Sequence, residues 1–462
     1  MLNAGSWLLL IAVAIPLAAS LMGRGRRSAV TAAASSAFCV LIAAWPWLLA
    51  RQSEPGLFTL GPGSALLRVD AMSALPMVVF SALVLGVVIA APRSDGEASG
   101  HAGTLLLLSG ALLTYGAGNS LVLFAGWTLT ALPLLTGKWV PEHGAEVPRR
   151  LPAIMVGSSV VLLGFGLLSM TVLRGGVYAF GLVVLAAIVR KGLFPFHGWV
   201  VTALAAGPLL PFGLLVNAHL GAFVIARVAI PTMPDLSRDA LTLLSSLALI
   251  SALYSAFAGL GERNPRRSLA LLMISQSSFI LAGLESRSTE GIAGALTFWL
   301  VVSVATMGLL IVYRALEKRC ADLAEIEYAG LAASAPRMSV FFAICGLALV
   351  GLPGTLGFAA EDLLFQGALT GHPLLGVALP LATALNAYNV FRLFSSLFFG
   401  RRTTLVPVFP DALARERVVL SAVVLFLILG GIAPGLVISS RVASAEGISV
   451  VLSGSNAGNA GH

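Results

Sequence analysis

Apolar residues run in long blocks along nearly the whole chain, separated by short polar connections rich in arginine. A bilayer core about 30 Å thick is crossed by about 20 apolar residues in a helix, and blocks of that length recur from Leu8 to Ile438. They predict spans near 3–22, 29–50, 71–91, 102–117, 119–137, 151–173 and 177–206, then near 208–230, 239–260, 268–284, 291–314, 338–370, 374–399 and 418–440. The expected fold is an all-α polytopic membrane protein with about fourteen transmembrane helices. The first block reads as a membrane helix rather than a signal peptide, because no basic residue precedes it and no cleavage-like segment follows.

The seventh and twelfth blocks are too long for one crossing and carry helix breakers: Pro195 ahead of His197 and Gly198, and the run Gly351, Leu352, Pro353, Gly354. Both are expected to be discontinuous helices. They lie five spans apart, an odd number, so spans four to eight (101–230) and nine to thirteen (239–400) are expected to be inverted five-helix repeats. Residues 1–100 would hold the first three helices and 401–462 the last helix with a short tail, disordered from about 440.

Composition narrows the class. Of 462 residues, 58% are hydrophobic and 10% charged, with a mean hydropathy of +0.95. A soluble domain carries about a quarter charged residues, so a soluble enzyme is excluded. The net charge is +8, and only three of the 28 basic residues are lysines, at 138, 191 and 318. Sorted by the predicted spans, 17 basic residues fall in loops after odd-numbered spans, six in the other loops, and five within or at the ends of spans. Lys and Arg accumulate on the cytoplasmic side, which predicts an inner (cytoplasmic) membrane protein with both termini on the non-cytoplasmic side. Cys39, Cys320 and Cys345 are too scattered for a metal site or disulfide framework. The chain has no dinucleotide, P-loop or haem-attachment motif and no basic-aromatic nucleic-acid pattern. No metal, cofactor or nucleic acid is expected on it, and any catalytic chemistry would belong to partner subunits.

An ionisable side chain in the hydrocarbon region costs about 3 kcal/mol or more, which makes each one a functional candidate. Lys191 ends the apolar run before the first break, where freed carbonyls and admitted water let a lysine exchange protons; the bland alternative is a side chain that snorkels beside Arg190. His219 lies mid-span, with Asn217 placed to hold a water beside it. His197, at the break itself, reads first as a structural residue of that turn and second as a proton carrier. Glu361 follows the second break by about two turns, well inside the membrane, and reads as a proton site. Asp362 points about 100° away from it and reads as a local cap or pair. Arg392 is either the counter-ion of that acidic pair or a snorkelling residue. Ser275, Gln276, Ser303 and Thr306 either glue helices together or relay protons.

Three segments carry a family resemblance. RKGLFPFHGWV at 190–200, HLGAFVIAR at 219–227 and GLPGTLGFAAEDLLF at 351–365 resemble the signatures of antiporter-like proton-translocating subunits of respiratory complex I and of Mrp-type cation/proton antiporters. Weaker similarity at 266–284 and 386–400 extends the match over about 100–400. The resemblance implies fourteen helices, inverted repeats and a hydrated mid-membrane axis through Lys191, His219 and Glu361. Two departures stand out: Thr128 occupies the position where the family carries a fifth-helix Glu facing the seventh-helix Lys, and Ser303 and Met307 stand in the eleventh helix where many members have His and Lys. These thin the relay that the resemblance implies.

Three functions share such a fold. One is a proton-conducting subunit of a redox-driven complex I-like translocase, with electron transfer in a partner redox module. A second lies outside redox chemistry, either an Mrp-type antiporter subunit or the membrane half of a two-component inorganic carbon uptake complex with a soluble, zinc-containing, carbonic-anhydrase-like partner. The third is a scaffold without conduction, against which the retention of Lys191, His219 and Glu361 argues.

Overall fold

The computed structural model describes residues 4–22, 25–49, 66–92, 95, 101–139, 150–172, 176–286, 288–320, 323, 328–371, 373–400 and 409–453. Among them the chain is helical throughout except for short turns and one isolated antiparallel bridge, Leu67 to Ala117. Eight segments are long and apolar enough to cross a membrane, and shorter apolar helices fill the intervals between them. This is the multi-pass helical membrane protein that the hydropathy predicts. Of the basic residues used for the sidedness argument, Arg24, Arg51, Arg93, Arg149, Arg174, Arg287, Arg401 and Arg402 lie outside the described residues.

The helices are α1 (Ala4–Leu21), α2 (Arg26–Leu49), α3 (Ala71–Ala90), α4 (Ala102–Tyr115), α5 (Ser120–Leu135) and α6 (Leu151–Thr171). The next is interrupted, α7a (Val177–Lys191) and α7b (Gly198–Ala206), and so is its successor, α8a (Leu209–Asn217) and α8b (Leu220–Val224). A π-helical turn, Ile225–Ala229, prolongs α8b before Ile230–Thr232. Then come α9 (Pro234–Gly261), α10 (Pro265–Leu284), α11 (Thr289–Glu317), α12a (Pro336–Leu349), α12b (Leu356–Gly371), α13 (Pro373–Phe398), α14 (Ala414–Ile432) and α15 (Gly435–Ser453). The central element is α11, buried from Gly291 to Leu316; α10 beside it is buried from Ser268 to Leu284.

Both predicted interruptions are present. A third, at His219, is not foreshadowed by any Gly or Pro. The tail also departs from expectation: residues 435–453 form a helix, with Arg441 and Ala445 fully packed. The segment is long and apolar enough to cross a membrane, and polar contacts tie it to the starts of α3, α9 and α11. Arg441 donates to the carbonyls of Ala71 (2.7 Å) and Met72 at the start of α3, Ser449 meets Thr289 at the start of α11, and Arg238 at the start of α9 donates to Leu452 (2.8 Å). Small polar residues and a buried arginine give this segment the composition of a tail, and packing makes it a strap across those helix starts.

Ion pairs mark the two ends. At one, Asp70 caps α3 through Ser73 and pairs with Arg227 on the π-turn. At the other, Arg266 grips Glu317 at 2.6 and 2.7 Å and also donates to Gly207 (2.8 Å) and Leu204 at the end of α7b. Arg314 completes the chain by pairing with Glu317 and with Asp95, each at 2.7 Å.

A buried pair loses several kcal/mol when one partner is removed, whereas an exposed pair is worth little. Arg266→Met is therefore expected to destabilise the fold by about 3 kcal/mol, while Arg267→Met, whose side chain is 53% exposed in its pair with Glu262, should leave the melting temperature of the detergent-solubilised protein nearly unchanged. Equal shifts for the two would refute the structural role given to Arg266.

Candidate functional site

The break in the seventh helix is built by capping. Gly192 takes a left-handed conformation (φ +70°) that closes α7a, its N–H reaching the Ile188 and Val189 carbonyls. Pro195 follows a cis peptide and has no N–H to continue a ladder. Two polar groups beside the break find partners, Trp199 Nε1 donating to the Val189 carbonyl at 2.8 Å and the Phe194 N–H donating to Ser251 Oγ on α9, also at 2.8 Å, while His197 Nδ1 is buried without one. His197 stacks on Phe194 and meets Tyr254 edge-on, with ring centroids 5.8 and 4.8 Å away. That aromatic cluster fastens the turn to α9.

The interruption of the eighth helix faces it. His219 itself adopts φ +46°, an uncommon conformation for a residue with a side chain. Tyr115 Oη donates to the freed Ala218 carbonyl. The result is a direct side-chain contact, with Lys191 Nζ 2.6 Å from His219 Nδ1; the two residues are 3% and 1% exposed. The imidazole also meets the edge of Trp299, while its Nε2 is buried without a protein partner.

From this pair, polar groups continue along α8a, α10 and α11. Asn217 Oδ1 accepts from Thr306 at 3.1 Å, and the Asn217 carbonyl accepts from Ser303 at 3.0 Å, leaving Asn217 Nδ2 buried and unpartnered. Both amide atoms of Gln276, in the buried middle of α10, lack a protein partner. Its neighbour Ser275 accepts from Asn386 Nδ2 at 2.7 Å and donates to the Ala252 carbonyl. Met307 is a packing residue against α8a near Gly213.

At the second break Gly351 (φ +71°) and Gly354 (φ +89°) make the turn. Glu361 folds back so closely against Gly351 that any Cβ there would overlap its carboxylate, and its other oxygen accepts from Thr383 on α13 at 3.0 Å. Position 351 thus favours glycine for its dihedral, and a side chain there would push the Glu361 carboxylate aside. Asp362 is exposed and accepts from Gln366 at 2.8 Å, a local pair one turn away. Arg392 does not serve Glu361; it donates to the Gly259 carbonyl at 2.6 Å, to that of Glu262, and towards Ser268, closing the end of α9.

The structure thus joins Lys191 with His219, and Asn217 with Ser303 and Thr306, while Glu361 stands apart on α12b. Contact between the seventh and fifth helices runs not through Lys191 and Thr128 but through Arg190, which donates to Thr130 and lies over the Trp127 ring. Thr128 Oγ1 is buried without a partner. Sequence reasoning passes over Arg190, Tyr115, Asn386 and Thr383. Arg190 and Lys191 are adjacent, and one helical step of about 100° sends them to different neighbours; that step was the available signal.

A family described as NADH:quinone oxidoreductase/Mrp antiporter, TM, matches residues 99–386. NADH-quinone oxidoreductase subunit M of Rickettsia typhi is 26% identical over 269 residues, 57% of this chain and 54% of that protein. The chain spans about half the length of the curated relatives it matches. In fold it superposes on a chain of respiratory complex I from Thermus thermophilus with a TM-score of 0.83, at 25% identity, covering 96% of this chain and 99% of the other. A chain of the Mrp complex from Dietzia sp. DQ12-45-1b superposes with a TM-score of 0.78 at 18% identity, covering 97% of this chain and all of the other.

Direct contact between Lys191 and His219 makes their substitutions interdependent. Lys191→Met and His219→Phe are expected to be non-additive in unfolding free energy by about 1 kcal/mol or more, measured by thermal melting of the two single variants and the double variant. Additivity within about 0.5 kcal/mol would show that the side chains do not touch.

Proposed function

Since the chain belongs to the NADH:quinone oxidoreductase/Mrp antiporter transmembrane family, we propose that it is a proton-conducting membrane subunit of a complex I-like, redox-driven translocase. The observation that carries this reading is the Lys191–His219 contact at 2.6 Å across two facing helix breaks. Two bases at that distance share a proton readily: protonated Lys191 donates to Nδ1, and neutral Lys191 accepts from it. A proton passed to the imidazole can leave through Nε2, which no protein group occupies.

Unpartnered buried polar atoms are positions where water binds. Those of Asn217, Gln276 and Asn386 lie along α8a, α10 and α13, and they support a hydrated route from His219 towards Glu361. In this reading Glu361, beside the second break, is the terminal exchange site, and Thr383 holds it. Helix α11, with Ser303 and Thr306 against Asn217, keeps the route narrow.

The further features of the proposal follow from the family. Fourteen crossings, with residues 101–230 and 239–400 as inverted units, are supported by the placement of the breaks in α7 and α12. The surplus of basic residues at the Arg266 end supports a cytoplasmic location for that end, with both termini opposite in an inner membrane. Partners are the other subunits of a membrane complex, a redox module first and Mrp-type subunits second. The matches lend no support to the carbon-uptake alternative or its zinc-protein partner.

In the native complex, Lys191→Ala and Glu361→Gln are expected each to lower proton-coupled activity at least tenfold while the complex assembles normally. Proton uptake into vesicles, compared with subunit stoichiometry from mass spectrometry of the gently purified complex, reads both quantities. Full conduction in both variants would reduce the chain to a scaffold. Recovery of cation-antiporter subunits without a redox module would move it to the Mrp branch.

A further inference from the structure

The last turn of α7a carries two consecutive bases, and only one of them belongs to the route above. Arg190 is 5% exposed and points to α5, where Nη2 donates to Thr130 Oγ1 and the guanidinium carbon sits 5.1 Å from the centroid of the Trp127 ring. Thr130 spends its own proton on the Trp127 carbonyl at 2.6 Å. Trp127 and Thr130 are completely buried. Three N–H groups at this place have no acceptor in the protein: Arg190 Nε, Arg190 Nη1 and Trp127 Nε1. Among the described residues, no carboxylate pairs with Arg190 or with Lys191.

A guanidinium stays protonated in proteins, and a buried charge without a counter-charge is costly. Thr130 and the face of Trp127 supply one acceptor and a partial negative charge, no more. What remains is a buried site with a full positive charge and three N–H donors without a protein acceptor, which is the complement of a small inorganic anion. We propose that the space between α5 and the end of α7a binds a monovalent anion of chloride size as the counter-ion of Arg190. The anion ties the two helices together, and it offsets a fixed positive charge one residue from Lys191. The first consequence is independent of proton conduction; the second rests on that reading.

The test uses the purified full chain in detergent, with chloride exchanged for gluconate at constant ionic strength, and follows the melting temperature as chloride is restored. The wild type is expected to gain stability saturably with chloride. Trp127→Phe, which deletes one donor, should raise the half-saturating concentration about tenfold. Arg190→Gln should abolish the dependence by removing the charge, and Thr130→Asp should abolish it by supplying a carboxylate at the contacting position, with stability in gluconate no lower than that of the wild type in chloride. If Arg190→Gln does not fold, Thr130→Asp decides. A wild-type melting temperature indifferent to chloride would mean that water alone satisfies these donors, and a dependence unchanged in Thr130→Asp would place the anion elsewhere; either result overturns the proposal. Neither depends on whether Lys191 carries protons.

Discussion

Inside a bilayer no solvent is available to satisfy a broken backbone, so every interruption of a helix must be completed by other groups of the protein. The three interruptions here obey that constraint, and the polar features of the interior follow from it. Trp199 and Ser251 serve the break after Lys191, Tyr115 the carbonyl released at Ala218, and Thr355 the Leu352 carbonyl at the second break in α12. Once those groups are in place, the ends of the broken helices can present titratable side chains to one another. Lys191 and His219 meet because both of their helices stop there.

The same constraint explains what could be read from the chain alone. Pro195 and the Gly351–Gly354 run are breakers by their covalent structure, and the breaks they predict are present. The interruption at His219 has no such marker. A non-glycine residue with positive φ is held by its surroundings, here the Lys191 contact, the Trp299 edge and the Tyr115 bond, which are tertiary and invisible to local pattern. The π-turn at Arg227 is equally silent, and the partner of Arg227, Asp70, lies 157 residues earlier.

For the site, residue type was legible and direction was not. Lys191, His219 and Glu361 stand out as charges in apolar blocks, and each is buried or half-buried in the interior. Which neighbour each one faces depends on rotation about the helix axis. Arg190 turns to α5 and Lys191 to α8, and Arg392, a conceivable partner of Glu361, closes the end of α9 instead. Residues 440–453 mislead for a related reason. Their Ser and Gly content suits an unstructured tail, but Arg441 finds the carbonyls at the start of α3, and Ser449 and the Leu452 carbonyl find Thr289 and Arg238.

The two ionic clusters lie at opposite ends of the helices, and the strap α15 adds a second fastening to one of them. A bundle clamped at both faces resists sliding of one helix along another, since any such shift would pull Arg266 from Glu317 or Arg227 from Asp70. Between the clamps, the polar contacts are single hydrogen bonds and breaks. The mechanics are those of a barrel hooped at top and bottom: its staves resist slipping lengthwise, so a sideways load is expected to be taken up by bowing and twisting at the waist, the level at which Lys191 meets His219.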